Sequence, residues 1–113
     1  MTAIPEVDLV HLDRVLGEES RAVLVDFWSP WCPPCRVLRP HLDALARAYA
    51  ETVAVVAVNV ERHPAAAERF GVSALPTLVL VREGVTVHRF AGSTLPSQVQ
   101  AVLDTLAEHP ATG

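Results

Sequence analysis

The sequence reads as an α/β domain in three layers, a mixed central sheet held between helices. Three observations lead there. Two runs, Ala22–Trp28 and Thr52–Val60, are apolar on both faces, as strands covered on two sides are. Between them Val37, Leu38, Leu42, Leu45 and Tyr49 recur at helical spacing. Further on, Thr77–Arg82 and Val85–Phe90 flank Glu83-Gly84, a two-residue hairpin signal, and an amphipathic helix follows. Strand–helix–strand first and hairpin–helix last builds a mixed sheet with helices on both faces.

The elements follow in order. Asp8 caps a first helix whose Leu9, Leu12, Val15 and Leu16 share a face, and Gly17 stops it. Ala22–Trp28 is a central strand. A helix runs from Pro33 to about Ala50, with Pro40 inside it, where the missing backbone bond should kink it. After the strand Thr52–Val60, a short helix at Pro64–Phe70 is closed by Gly71. Gly92-Ser93-Thr94 ends the hairpin. Thr94 and Pro96 open the last helix, which continues through Leu95, Val99, Val102, Leu103 and Leu106. Pro110–Gly113 reads as a frayed tail. No repeat, linker or low-complexity segment interrupts residues 1–113, so we expect one domain with its core at about 6–108.

Composition narrows the function. At 113 residues, half of them apolar, the chain can bury a core without disulfide staples. Only 19% are charged and the net charge is −4. All nine cations are scattered arginines, Arg14 to Arg89, so we expect no nucleic-acid partner. The N-terminus has no basic region followed by an apolar stretch, and Val53–Val58 is too short to span a bilayer. We therefore expect a cytoplasmic monomer with no membrane contact. In that compartment a lone cysteine pair is more often catalytic or metal-binding than a structural crosslink.

The chemistry lies in Trp31-Cys32-Pro33-Pro34-Cys35, which holds the only two cysteines. On a helix beginning near Cys32 the two thiols lie on one face, one turn apart. Cys32, at the tip, is the candidate nucleophile, because first-turn N–H groups and the helix dipole favour its anion. Cys35 lies deeper and is the candidate resolving thiol. Prolines are tolerated there because first-turn amides lack intrahelical partners. Half of a zinc site is the alternative, but zinc needs four ligands. His11, His41, His63, His88 and His109 show no ligand-like spacing, so no metal is expected. Asp26 interrupts an apolar strand six residues before the cysteines. Such an Asp can cap a turn; here we read it as a buried carboxyl, raised by desolvation, that exchanges a proton with Cys35. Trp28 reads as core, and Trp31, beside the sulfur, as contact surface. Pro76 enters a strand, where proline wastes a ladder donor. In trans it is an ordinary proline; in cis it leaves the Leu75 backbone open to an extended substrate.

Val-Asp-Phe-Trp at 25–28, Trp-Cys-Pro-Pro-Cys at 31–35, Pro40, Leu-Pro-Thr at 75–77, Gly84 and Gly92 resemble the thioredoxin family in order and spacing. The resemblance covers about residues 6–108. It implies the thioredoxin fold, Cys32 attacking, Cys35 resolving, Asp26 as buried acid/base and Pro76 in cis. It also implies a substrate groove of Trp31, Pro33, Pro34, Val60, Ala74, Leu75, Pro76, Ala91 and Gly92. The partners it implies are protein disulfides and a flavin- and NADPH-dependent thioredoxin reductase. No cofactor is expected in the chain itself, whose five glycines form no dinucleotide fingerprint. Two residues depart from the family pattern: Pro33 replaces the usual Gly, and Ala57 replaces a lysine near Asp26. Rival readings are a specialised disulfide oxidase or isomerase, a cytochrome-maturation reductase, or a binding module on the same fold.

Overall fold

The computed structural model describes residues 4–92 and 94–108. Ser93 and the tail at 109–113, which the sequence reading placed at a strand end and as frayed, lie outside them. In chain order the elements are α1 (Leu9–Glu18), β1 (Ala22–Trp28), α2 (Pro33–Ala48), β2 (Val53–Asn59), α3 (Pro64–Arg69), β3 (Thr77–Arg82), β4 (Val85–Ala91) and α4 (Pro96–Glu108).

The strands form one sheet in the order β2-β1-β3-β4. β1 pairs parallel with β2, Asp26 opposite Ala57, and antiparallel with β3, Asp26 opposite Leu78. β1 is thus central, as its two apolar faces require. The hairpin β3–β4 turns at Glu83 and Gly84, both with positive φ (52° and 78°), the backbone a two-residue turn needs to match the strand twist. The N-terminal segment adds a rung the sequence did not suggest. Glu6 bridges Ala57, with Val7 N–H donating to Ala57 and Ala57 N–H to Pro5.

Alternation along β1 sorts the core into two layers. Ala22 and Leu24 pack with Leu38 and Leu42 of α2 and Val99 and Leu103 of α4. Val23, Val25 and Phe27 face the other way, toward Leu12 of α1 and Ala66 of α3. The sheet therefore lies between two helix layers, which is the thioredoxin fold. Asp26 falls in step with Leu24 and Trp28 and so belongs to the α2/α4 layer.

Local expectations were corrected at four places. Asp8 does cap α1, its Oδ1 accepting from His11 N–H at 2.7 Å, but Gly17 does not stop it. The helix runs to Glu18 and closes when Glu19 N–H bonds Val15. A glycine in a helix interior costs about 1 kcal/mol, less in the last turn where Gly17 lies, and the packing of Val15 and Leu16 on the core offsets it. Val37 and Leu95, placed on apolar helix faces by spacing, are instead exposed, at 70% and 63%. Thr94 turns back onto the Gly92 carbonyl, and the start of α4 is closed by Gln98 Oε1 accepting from Leu95 N–H at 2.9 Å.

Candidate active site

Cys32 occupies the N-cap of α2 in extended conformation, followed by prolines at the first two helical positions. Neither proline has an N–H, so the first amide of the helix belongs to Cys35. It donates to Cys32 Sγ at 3.3 Å, the bond a capping side chain accepts from the third helical residue. The two sulfurs are joined as a disulfide, with Cα atoms 5.3 Å apart. Cys32 is 8% exposed and Cys35 4%. The difference the sequence suggested in depth is therefore small, while the surroundings differ sharply: Trp31, Pro33 and Pro34 are exposed, and Leu38 on the following turn is buried.

Asp26 is 1% exposed, at the level of α2 on the same sheet face. Burial pushes its carboxyl up to about 6. Arg39 opposes that rise and Glu6 adds to it. Among the described residues its Oδ1 has no hydrogen-bond partner. The sequence reading supplied no cation, because Ala57 stands on the neighbouring strand where a lysine is usual. That left the counter-charge open to a His or Arg elsewhere, and the structure supplies it: Arg39, from α2, places Nη2 3.3 Å from Asp26 Oδ2. The only advance signal was its place one helical turn after Cys35.

The loop before β3 holds the remaining expected residues. Leu75–Pro76 is cis. The Pro76 carbonyl accepts from Gly92 N–H at 2.9 Å, Thr77 Oγ1 donates to Ala74 O at 2.6 Å, and Thr77 pairs with Ala91. Ala74, Pro76, Ala91 and Gly92 are thereby gathered at one end of the sheet. Gly92 has φ +75°, a backbone position where a side chain would be strained. Leu75 and Val60 pack partly into the core layer under α3, and Val60 N–H bonds the Trp28 carbonyl. Pro76 is buried and shares with Pro34 an open apolar cavity of about 530 Å³. Its other walls, Val37, His41 and Leu95 among them, were not foreseen as site residues. Trp31 stands 80% exposed.

Among the described residues no three His, Cys, Asp or Glu side chains gather to hold a metal, and no helix is long and apolar enough to cross a membrane.

A cysteine pair that closes and opens at a helix start takes up or gives out two electrons, and the protein is a thiol–disulfide oxidoreductase. Comparison with known proteins narrows that class. Residues 5–105 match the thioredoxin family, described as "Thioredoxin", and the chain belongs to it. Thioredoxin 1 of Synechococcus elongatus is 39% identical over 87 residues, 77% of this chain and 81% of that protein. Thioredoxin of Alicyclobacillus acidocaldarius is 40% identical over 84 residues, 74% and 80% of the two chains. In structure, oxidised mitochondrial thioredoxin 3 of Saccharomyces cerevisiae superposes with a TM-score of 0.82 at 28% identity, covering 91% of this chain and 95% of that one. Thioredoxins act on protein disulfides and work with thioredoxin reductase.

Proposed function

We propose that the Cys-Pro-Pro-Cys motif works as a reductant of protein disulfides, with Cys32 attacking, Cys35 resolving and Asp26 moving the proton. The observation that carries this is the amide of Cys35 directed onto Cys32 Sγ at the start of α2. The same donor that caps the disulfide sulfur stabilises a thiolate there once the bond is opened.

The Cys32 thiolate attacks one sulfur of a substrate disulfide. A Cys32–substrate bond forms, the substrate S–S bond breaks, and the first substrate thiolate leaves. Cys35 then gives its proton to the Asp26 carboxylate and attacks Cys32 Sγ. The Cys32–Cys35 bond forms, the mixed disulfide breaks, and the second substrate thiolate departs. The substrate has gained two electrons and the protein has lost them. With the Asp26 carboxyl at about 6, most of it is ionised at neutral pH and ready to accept that proton.

The exposed Trp31, the Ala74–Pro76 loop, Ala91, Gly92 and the rim at Pro33 and Pro34 receive the substrate chain, and Val60 and Leu75 back them. A flavin- and NADPH-dependent reductase returns the electrons, the chain works as a monomer, and its place is the reducing cytoplasm.

Reduction of insulin disulfides by dithiothreitol tests the assignment. Cys32→Ser should abolish the acceleration. Cys35→Ser, reduced beforehand and mixed with insulin after the dithiothreitol is removed, should stop after one attack and accumulate protein–insulin mixed disulfide. Sustained turnover by Cys32→Ser, or release of insulin thiols by Cys35→Ser with no mixed disulfide formed, would remove that residue's role.

A further inference from the structure

Asp26 does not have its counter-charge to itself. Arg39 lies four residues after Cys35 on α2 and points two guanidinium nitrogens at two carboxylates. Nη2 is 3.3 Å from Asp26 Oδ2 and Nη1 is 3.1 Å from Glu6 Oε2. The other oxygen of Glu6 accepts from Trp28 Nε1 at 2.9 Å. The Trp28 ring in turn lies under the guanidinium, 5.0 Å from it. The arginine is thus held from three sides, and its side chain is only 22% exposed. A solvent-exposed pair would swing apart and be screened; the Trp28 ring and burial prevent that for Arg39 and Asp26, while Glu6, 47% exposed, is held by its bonds to Arg39 and Trp28. Glu6 is itself fixed, because its segment is hydrogen-bonded through Val7 and Pro5 to Ala57, the residue beside Asp26 across the sheet.

We propose that Arg39 is a positioning residue of the redox centre, setting how readily Asp26 yields its proton, and that Glu6 holds part of that positive charge away. This rests on the reading of Asp26 as the proton acceptor for Cys35. Among the described residues, the other elements packed around Asp26 bring it no competing charge. β2 presents Ala57, β3 presents Leu78, and α4 faces the layer with Val99 and Leu103. The centre then carries two carboxylates on one guanidinium. Ionising Asp26 leaves the trio one charge negative, and removing either neighbour moves the balance in opposite senses.

The experiment is a titration of the Asp26 carboxyl carbon by NMR in oxidised protein carrying labelled aspartate. Glu6→Gln keeps an acceptor for Trp28 and frees the guanidinium, so the Asp26 midpoint should fall. Arg39→Met keeps the length of the chain and removes its charge, so the midpoint should rise. The Arg39→Met shift should be about one pH unit, the low end for a charge in contact, and the Glu6→Gln shift smaller, because Glu6 is 47% exposed and acts on Asp26 across the guanidinium. Arg39→Lys should bring the midpoint back toward wild type, which a role in packing alone would not require. Midpoints that stay put, or that move in the same sense in Glu6→Gln and Arg39→Met, overturn the proposal. The pH profile of thiol release from a preformed mixed disulfide, run on the same variants, separates the two readings. A profile that follows the carbon titration supports both. Opposed midpoints with an unmoved profile uphold Arg39 and Glu6 as setting the protonation and discard Asp26 as the proton acceptor.

Discussion

Replacing Asp26 with Asn should make the protein more stable at neutral pH, and the structure fixes where in pH the gain appears. The folded carboxyl sits at about 6, against an ordinary 3.8, chiefly through desolvation, with Arg39 offsetting part of it. A group raised in this way binds its proton more tightly folded than unfolded. The stability it gives is fully present below pH 3.8 and is lost as pH climbs through 6. Beyond that the loss is constant at about 3 kcal/mol, the free energy of a rise of roughly two pKa units. Asn keeps the shape of the neutral acid and cannot ionise. The Asn-minus-wild-type difference should therefore be near zero at the acid end and grow between pH 4 and 6. It should then plateau at up to about 3 kcal/mol.

Urea unfolding of the oxidised proteins from pH 3.5 to 8 measures this. At pH 7 the midpoint of the variant should be higher by roughly 1–2 M. Taking the difference cancels the titration of every other carboxylate. A flat difference would mean that Asp26 ionises in the fold as it does in the unfolded chain. A variant less stable at pH 7 would mean that the Arg39 pair outweighs desolvation. Either result refutes the elevated carboxyl, and with it a proton acceptor poised near neutrality.

Iodoacetamide given briefly to the reduced protein should label Cys32 ahead of Cys35, because its sulfur faces the helix start beside exposed residues; peptide mapping reads this, and preferential labelling of Cys35 would reverse the two roles. Trp31→Ala should change stability by less than about 0.5 kcal/mol, as the ring is 80% exposed. The same variant should lower kcat/KM on insulin several-fold, and an unchanged kcat/KM would remove Trp31 from the contact surface. Pro33→Gly should cost about 0.5–1 kcal/mol in denaturant unfolding by loosening the unfolded chain. It should leave the alkylation rate of Cys32 nearly unchanged, since the sulfur is bonded by the third helical amide and not the first. Leu42→Ala, at a fully buried position between α2 and the sheet, should cost 2–5 kcal/mol, measured by the same unfolding curves.

The parts of this fold that could be read in advance are those whose physics is local. β1 and β2 announce themselves because a strand covered on both faces needs apolar residues without alternation. The Glu83-Gly84 turn does so because few residue pairs accept two positive φ values. The cysteine pair is legible for the same reason, as three residues on a helix fix the geometry of the ring. Gly17 failed as a stop because propensity is a small term beside the packing of Val15 and Leu16. Val37 and Leu95 failed because apolar periodicity marks a face without saying whether protein or open space lies against it. Here the space is the cavity shared with Pro34 and Pro76.

Asp26 shows where such reading stops. Its burial follows from its strand, and desolvation then raises its carboxyl whatever the rest of the chain does. Across the sheet, register makes Ala57 its neighbour, and Ala57 is apolar and brings no counter-charge. The charge arrives from the helix layer instead, on a side chain long enough to reach down from α2. Nothing about Arg39 alone separates it from the other eight arginines. What sets it apart is a carboxylate 33 residues earlier and a tryptophan ring, brought beside it only when the N-terminal segment docks on β2. Which residues of a strand share a face is a short-range property and can be read from residue spacing. The field at a buried carboxyl is a sum over long side chains from every layer, so Asp26 could be located from the sequence while the pH at which it works could not.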